Sequence, residues 1–477
     1  MTGLQKIAVV VVVLAAIVLA SPSILGLLTR GAVDDFITMS NTTGDAELEV
    51  LSYERGWFQS KMRVAVRFPE DETTSIVFDQ ALRHGPLLPA SECGSRAGFA
   101  LSTGHSSLQP VTPVIEHFLP EGRMSDDCLY IDFSGNIHTI QHVASFQGSA
   151  FDAESNLERS STQVAWSPIS VDWTYLNETR PKLYGSLDVP HFSANDNQTY
   201  VRVDGLTMRM DLRRAVLPEL WDGNVVIAAQ TLRTWETGTP EPVAMEQAAL
   251  EMTAETGTEK ATFQMSLGYS SLTASALNYG EGRWSLRFED LGTRGIQSFN
   301  ERRESLLEAG IPQEDTLYVQ ALREFMPDIL ATNPRLVLEF FQDVEDGPIS
   351  ADGSARVTNA DVAASDDPRQ WLAALDLDLS ATMPRWFLLD VIEQFYRRGL
   401  SATPEGQALD EDLLERLVEA QAAATLQGLE QSGFVKKQGN AYRARLYMRD
   451  GTATVNDKRI GSIVDVLDGR GPASSQP

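Results

Sequence analysis

Histidine is the side chain best suited to proton transfer and metal binding near neutral pH. The sequence has six, at positions 84, 105, 117, 138, 142 and 191. None belongs to a His-Glu-x-x-His or His-x-His set, the arrangements that bring two imidazoles onto one metal ion. His138 and His142 would align on a helix, but the apolar residues around them are spaced as in a strand. The sequence therefore predicts no metal site and no cofactor.

His84 is the histidine for which a catalytic role is weighed. It precedes Gly85-Pro86, a pair that ends a strand sharply, so its ring could hydrogen-bond the turn backbone. The alternative is a general base in a hydrolase, which needs a nucleophile or nearby carboxylates. The chain has no Gly-x-x-x-x-Gly-Lys loop, no Gly-x-Ser-x-Gly elbow and no Gly-x-Gly-x-x-Gly turn. Enzyme activity stays open, without a motif in its favour.

Two cysteines, Cys93 and Cys128, lie in one polar region rich in glycine, serine and proline. In an oxidising compartment such a pair can close a long loop as a disulfide, which contributes about 3 to 4 kcal/mol when it is unstrained. The alternative is two unrelated thiols. Neither belongs to a Cys-x-x-Cys pair, so a redox or zinc site has little support.

The chain is strongly acidic, with 66 aspartates and glutamates, 39 lysines and arginines and a formal charge of -27. Such a surface repels phosphate backbones, which argues against nucleic-acid binding. Solubility explains the acidity. Attraction of a cationic or metal-bearing partner is the alternative, and no Asp-x-Asp-x-Asp-Gly calcium loop supports it.

An uncharged segment at 7–28 is long enough to cross a bilayer. As a helix it would cover roughly 33 Å, against a hydrocarbon core of about 30 Å. Lys6 precedes it and two aspartates follow Arg30, which favours a cytoplasmic N-terminus at 1–6 and an exported bulk. The alternative is a cleaved signal peptide, because the small residues at 18–20 suit a signal peptidase.

Alternation of apolar and polar residues predicts many half-buried antiparallel strands after a short helical neck at 31–40. In 201–213 the parity of the apolar residues changes at Gly205, which predicts a β-bulge there. Asp450-Gly451 between two alternating runs predicts a C-terminal hairpin.

Helical spacing predicts helices at 296–309, at 384–398 and from about 410 to Gly433. The apolar stripe of the second helix could cover a sheet or lie on a membrane. The segment 345–369 is interpreted as loops. The predicted fold is α+β and β-dominated, with a transmembrane helix followed by a large antiparallel sheet. Its parts are a β-rich region at 29–295, an α+β region at 296–471 and a disordered tail at 472–477.

Two stretches resemble the YdgA-type family of bacterial inner-membrane-anchored proteins of unknown function. They are Tyr-Glu-Arg-Gly-Trp-Phe-Gln-Ser at 53–60 and Phe-Asp-Gln-Ala-Leu-Arg-His-Gly-Pro at 78–86, and the terminal hairpin at 442–460 is a third similarity. The resemblance covers essentially the whole chain. It implies an inner-membrane anchor with the bulk in the periplasm, and it implies no catalytic residue.

The first of these stretches also has a physical interpretation of its own. Arg55 and Gly56 interrupt an alternating strand, and a bulge at Gly56 would return Tyr53 and Phe58 to one buried side. The stretch is therefore interpreted as a feature of the fold.

The functional hypothesis is a non-enzymatic envelope protein that offers its sheet as a binding or scaffolding surface. Its expected partners are the lipid bilayer, through the N-terminal helix, and a second copy or another envelope protein. Binding of an acyl chain along the sheet is part of this hypothesis. An envelope hydrolase that uses His84 and nearby carboxylates is the alternative.

Overall fold

A computed structural model describes most of the chain in separate ranges. The described residues are 25–41, 47–68, 71–85, 101–110, 124–143, 146–147, 151–152, 161–167, 169–195, 199–217, 220–236, 243–274, 277–309, 316–359, 362, 368–401 and 410–462. Residues 7–24 of the predicted anchor, the polar region around Cys93 and the predicted tail at 472–477 lie outside these ranges.

The chain divides into two compact units. The first comprises residues 1–258 and 300–318, and the second comprises residues 259–299 and 319–477. All strand pairings given below are antiparallel, as the alternating sequence predicts.

The described residues of the first unit form fourteen strands. They are β1 Glu47–Arg55, β2 Gln59–Phe68, β3 Asp71–His84, β4 Ser102–Pro110, β5 Met124–Ile131, β6 Ile137–Val143, β7 Phe146–Gln147, β8 Phe151–Asp152, β9 Ser161–Trp166, β10 Ile169–Leu176, β11 Lys182–Asn195, β12 Thr199–Arg214, β13 Trp221–Glu236 and β14 Val243–Thr256. Consecutive strands pair from β1 to β6 and from β10 to β14, and β6 pairs with β10 to join the two series. β9 pairs with the second half of β11, beyond the end of β10.

Eleven strands belong to the part of the second unit that the structure describes. They are β15 Lys260–Tyr269, β16 Ser271–Ala274, β17 Leu277–Tyr279, β18 Gly282–Gly292, β19 Arg335–Gln342, β20 Ile349–Val357, β21 Leu375–Pro384, β22 Lys436–Gln438, β23 Ala441–Arg449, β24 Thr452–Val455 and β25 Lys458–Ser462. Pairing runs in the order β15, β18, β19, β20, β21, β23, β24 and β25. The β23–β24 hairpin confirms the prediction made from Asp450-Gly451. β20 lies inside 345–369, so the interpretation of that whole segment as loops is wrong.

Six helices belong to the described part of the chain. They are α1 at 25–41, α2 Thr293–Glu308, α3 Thr316–Leu330, α4 Pro368–Ala373, α5 Arg385–Ser401 and α6 Glu411–Gln431. α2, α5 and α6 confirm the three predicted helices, although α5 continues through Gly399 instead of ending before it. α3 was not predicted, and it contains Pro327 in its interior. Among the described residues, no helix is both long and apolar enough to cross a membrane.

The helix α1 covers the core of the first unit. Leu25, Ala32 and Val33 on its inner side pack with buried residues of the sheet, including Leu82 and Ile131. The predicted neck at 31–40 therefore forms part of a longer helix. Residues 25–28, which the sequence placed at the end of the anchor, are the first turn of α1.

The change in the alternation of apolar and polar residues at Gly205 is shared by four neighbouring strands. Gly205 is left unpaired, as the predicted extra residue, and Pro190 of β11 is unpaired opposite it. The register is therefore the same on both sides, since Val189 faces Leu206 and His191 faces Asp204. β13 and β14 also keep one register on either side of the unpaired Gln230 and Gln247.

Each of β11 to β14 therefore has one residue that interrupts the alternation, and these four residues lie side by side across the sheet. In strand order they are Pro190, Gly205, Gln230 and Gln247. Gly205 has φ +62 and Gln247 has φ +50. Because the extra residues are aligned, the apolar side of each strand stays on one face while the pairing continues.

Candidate functional site

The first turn of α1 is fixed to the sheet by a buried polar cluster. His84 ends β3 and is 3% exposed, and Ser60 in β2 is buried beside it. Ser60 Oγ lies 2.7 Å from His84 Nε2, and Thr29 Oγ1 of α1 lies 3.5 Å from Nδ1. The Thr29 hydroxyl also donates to the Leu25 carbonyl at 2.9 Å. Both ring nitrogens of His84 thus face a hydroxyl group.

Tyr53 in β1 adds a second link to α1. Its hydroxyl donates a hydrogen bond to the Gly26 carbonyl at 2.8 Å and is also hydrogen-bonded to Ser60. Gly26 lies against the imidazole, and a Cβ built there would approach His84 Cδ2 to 3.2 Å. Gly26, Thr29, Tyr53, Ser60 and His84 are called the helix clamp below.

Burial favours the neutral imidazole in the helix clamp. It lowers the pKa of His84, and a backbone hydrogen bond with Leu101 opposes that shift in part. Because the folded-state pKa lies below the unfolded value, the unfolded chain binds the proton more tightly. The contribution of His84 to stability is therefore complete above the unfolded pKa of about 6.5 and declines as the pH falls below it.

The contact between Ser60 and His84 is also the type of contact that nucleophilic catalysis uses. In the helix clamp, however, both side chains are buried, and the side chains that contact the ring nitrogens are the hydroxyls of Ser60 and Thr29. No carboxylate of the described residues hydrogen-bonds the ring. This geometry favours a structural role for His84.

The other residues singled out from the sequence have different positions. Arg55 is exposed at the end of β1, and Gly85 is buried after β3. Phe58 is 56% exposed in the turn between β1 and β2, so the prediction that a bulge returns it to the buried side of Tyr53 is wrong. Pro86 and Cys93 lie outside the described residues, as does the side chain of Cys128, so the disulfide stays a prediction.

The described residues contain no group of three or more histidines, cysteines, aspartates or glutamates that could hold a metal ion. His138 lies in β6, as the strand interpretation of 137–143 predicted, and its Nδ1 lies 3.0 Å from Thr174 Oγ1. His191 Nδ1 lies 2.8 Å from Asp204 Oδ1, and Arg202 binds the same carboxylate. These histidines join neighbouring strands.

A second feature of the first unit is a set of apolar residues that pair side by side across β11 to β14. One residue from each of the four strands forms a rung. Three of the rungs that pair fully through the four strands are together called the apolar face: Gly185–Met210–Val225–Met252, Leu187–Met208–Ile227–Leu250 and Phe192–Val203–Leu232–Met245. None of these side chains is charged. Apart from Val203, which is buried, they are half-buried, whereas the residues under α1 are fully buried.

The apolar face continues the core beneath α1. Leu183 in β11 packs against that core and pairs with Leu212 in β12, next to the first rung. Charged side chains of β12 lie on the opposite face, where Arg209, Asp211 and Arg213 are exposed. The sheet is therefore two-sided, and α1 covers only part of its apolar side.

Sequence reasoning missed one buried ionic cluster in this unit. Asp222 at the start of β13 accepts hydrogen bonds from the backbone and the hydroxyl of Thr256, at 2.7 and 2.6 Å. Its other oxygen accepts from Arg180 at 2.9 Å. Arg180 also donates to the Arg214 carbonyl. No local motif marks these residues, because they lie in four separate segments of the chain.

Comparison with known proteins gives one match. A family model described as bacterial protein of unknown function (DUF945) matches residues 4–461. Searches among curated proteins and among solved structures each returned no match. The matched range includes both the helix clamp and the apolar face.

Proposed function

This chain belongs to the DUF945 family of bacterial proteins of unknown function, and we propose that it is a membrane-anchored periplasmic protein that holds acyl chains on its sheet. The helix clamp carries the first half of the proposal, since it makes the end of the anchor part of the folded body. The apolar face carries the second half. In this proposal the protein is a binding and scaffolding element of the cell envelope.

The anchor of this proposal is the apolar segment 7–24. A helix over these residues would be roughly 27 Å long, within the range that crosses a bilayer. The next residue, Leu25, is already buried in the first unit. We therefore propose no linker between the membrane and the domain, so that the sheet lies close to the membrane surface.

Protease access in bacterial cells tests the anchor and its orientation. We expect protease added to spheroplasts to digest the bulk of the full-length protein, while the protein stays in the membrane fraction before digestion. Mass spectrometry of the untreated protein should find an N-terminus upstream of residue 7. Protection until the inner membrane is lysed would contradict the orientation. A mature start at Ser21 would instead show that a signal peptide is cleaved.

Acyl chains suit the apolar face for reasons of size and charge. Along β12 the apolar face runs from Val203 to Met210, which covers roughly 25 Å, and four strands span about 14 Å. One acyl chain covers about half of the 30 Å hydrocarbon core, so the face has room for it. Uncharged, half-buried rungs gain free energy when a hydrocarbon chain displaces water from them. The anchor would place this face beside a source of lipid.

Photoreactive fatty acids can test this occupant in living cells. We expect irradiation to attach the label to peptides that contain Met208 and Ile227. An Ile227→Glu variant should reduce that labelling at least about tenfold, because an unpaired carboxylate costs several kcal/mol on leaving water.

The matched control is Val226→Glu, on the same strand but on the opposite face, where Val226 pairs with Arg209 and Glu251. The Val226→Glu variant should be labelled by the photoreactive fatty acid as strongly as the wild-type protein. Equal loss in both variants, or adducts confined to 7–24 in the wild-type protein, would contradict the proposal. Crosslinks between two copies through Met208 without lipid adducts would assign the face to self-association instead.

A further inference from the structure

The turn between β1 and β2 exposes two neighbouring aromatic side chains. Residues 56–59 form this turn, which is called the hairpin tip, and the last pair before it is Arg55 with Ser60. Trp57 is 55% exposed and Phe58 is 56% exposed. The backbone N–H of Gly56 donates to the Gln59 carbonyl at 2.8 Å, and a Cβ at Gly56 would lie 2.4 Å from that oxygen. The hairpin tip is therefore a tight turn that exposes two aromatic rings.

Two contacts fix the direction in which the hairpin tip points. Near the end of α1, Asn41 exchanges two hydrogen bonds with the backbone of Leu48 in β1. Near its beginning, the Gly26 carbonyl accepts from Tyr53. The chain direction of β1 is therefore opposite to that of α1, and β1 continues past the first turn of the helix.

The hairpin tip consequently reaches beyond Leu25. Trp57 follows Tyr53 by four positions, of which the first two are still in β1, so the tip lies roughly 10 Å further along than the beginning of α1. Leu25, the first described residue of the chain, begins α1 at this same end. On the outer side of the first turn, Leu27 and Leu28 are 55% and 53% exposed. Four exposed apolar side chains thus lie at the end of the unit where the apolar segment joins it.

We infer that the hairpin tip inserts into the headgroup region of the bilayer beside the anchor, and that it sets the depth and tilt of the sheet. This inference rests on the proposed anchor. Trp57 suits this position because tryptophan concentrates at membrane–water interfaces. Arg55, exposed at the base of the tip, can keep its guanidinium among the lipid phosphates while its methylene groups lie against apolar surface.

The hairpin tip, as a second attachment point to the membrane, is itself bonded to the helix clamp. The His84 backbone N–H donates to the Phe58 carbonyl at 2.8 Å, so the side of the tip is hydrogen-bonded to the clamp residue itself. A single helix permits rotation about its own axis, whereas a helix and an adjacent inserted turn do not. The apolar face is then held at one angle to the membrane.

Fluorine NMR can test the inference on the full-length protein in vesicles of phosphatidylethanolamine and phosphatidylglycerol. The chain has eight tryptophans, and fluorinated tryptophan gives a resonance for each. The resonance of Trp57 is identified by its loss in a Trp57→Phe variant. We expect a lipid with a nitroxide near its headgroup to remove most of the Trp57 intensity. A water-soluble paramagnetic chelate should leave that resonance largely intact.

The opposite pattern, with strong broadening by the chelate and none by the lipid, would overturn the inference. Flotation of the same vesicles separates this result from a failure of the anchor. If the protein floats with the vesicles and Trp57 faces water, the anchor stands and the role of the tip is wrong. If the protein does not float, the proposed anchor itself is wrong and the inference falls with it.

Discussion

Replacement of His84 by alanine is expected to release α1 from the sheet. We expect the free energy of opening of residues 25–41 to fall by about 3 kcal/mol. The variant leaves the buried Ser60 hydroxyl without its imidazole partner, at a cost of about 1 to 3 kcal/mol. It also leaves a cavity beneath Gly26, where only partial collapse is expected. Thr29 keeps its bond to the Leu25 carbonyl, so its loss is smaller.

Hydrogen exchange of the full-length protein in detergent measures this change in the amides of residues 25–41. A loss of about 3 kcal/mol corresponds to a decrease in protection of roughly 150-fold for amides of α1. The matched control is His138→Ala in β6 of the same unit. His138 is half-buried and contacts Thr174 across one strand pair, so its removal should change the exchange of α1 less than about fivefold.

The same measurement has a predicted pH dependence. Because the folded-state pKa of His84 is lowered, the protection of α1 should be greatest above about pH 6.5 and should decrease as the pH falls. The slope approaches at most about 1.4 kcal/mol per pH unit for one proton. After correction for intrinsic exchange, this slope should be present in His138→Ala and absent in His84→Ala.

The hydrolase alternative predicts a different pattern for the same variant. If His84 were a general base, His84→Ala would remove a cellular phenotype while the abundance of the protein and the protection of α1 stayed unchanged. Loss of protection together with loss of abundance supports the structural role. Ser60→Ala should then produce a smaller loss in the same peptides, because it removes a hydroxyl without leaving a cavity of imidazole size.

Much of the β structure could be predicted from local patterns. Alternation identified the strand at 201–213, and Asp450-Gly451 located a hairpin, because these signals depend on neighbours in the sequence. The parity change at Gly205 was also visible. That it is shared by three neighbouring strands was not, because single residues such as Gln247 carry no mark of their alignment.

The end of the apolar N-terminal segment could not be located from hydropathy. Residues 25–28 are as apolar as lipid-facing residues, yet Leu25 packs on protein. Hydropathy reports that a side chain avoids water, and it does not distinguish a lipid neighbour from a protein neighbour. The same ambiguity affected Phe58, which is apolar but exposed. The role of His84 depended on partners from β2 and α1, which no single stretch contains.

The stability of the apolar face should depend most strongly on Asp222. This carboxylate, with 12% of its side chain exposed, joins the start of β13 to the end of β14 through two hydrogen bonds with Thr256. Asp222→Ala leaves the backbone N–H of Thr256 and the guanidinium of Arg180 without their acceptor. A buried donor left without its acceptor costs about 1 to 3 kcal/mol, and Thr256 loses the acceptor of two donors, its backbone N–H and its hydroxyl. Arg180 is 39% exposed and can find water, so we expect most of the loss from Thr256.

Hydrogen exchange in the peptides that cover 221–256 measures this loss of stability. A loss of about 4 kcal/mol would lower their protection close to a thousandfold. Asp222→Asn should lose clearly less, since its amide oxygen can still accept from Thr256 while its amide nitrogen cannot accept from Arg180. Asp211→Ala, an exposed aspartate on the neighbouring strand, is the control and should change protection less than about threefold.

If Asp222→Ala behaved like Asp211→Ala, the cluster would contribute nothing beyond a surface charge. If it loosens β13 and β14 as expected, labelling of Ile227 by the photoreactive fatty acid should decrease without any change to the apolar side chains. Asp222 and Ile227 lie on the same strand, and the rungs of the apolar face exist only while β13 stays paired with β12 and β14. An ionic cluster at the strand ends would then control an apolar binding surface through the pairing of its strands.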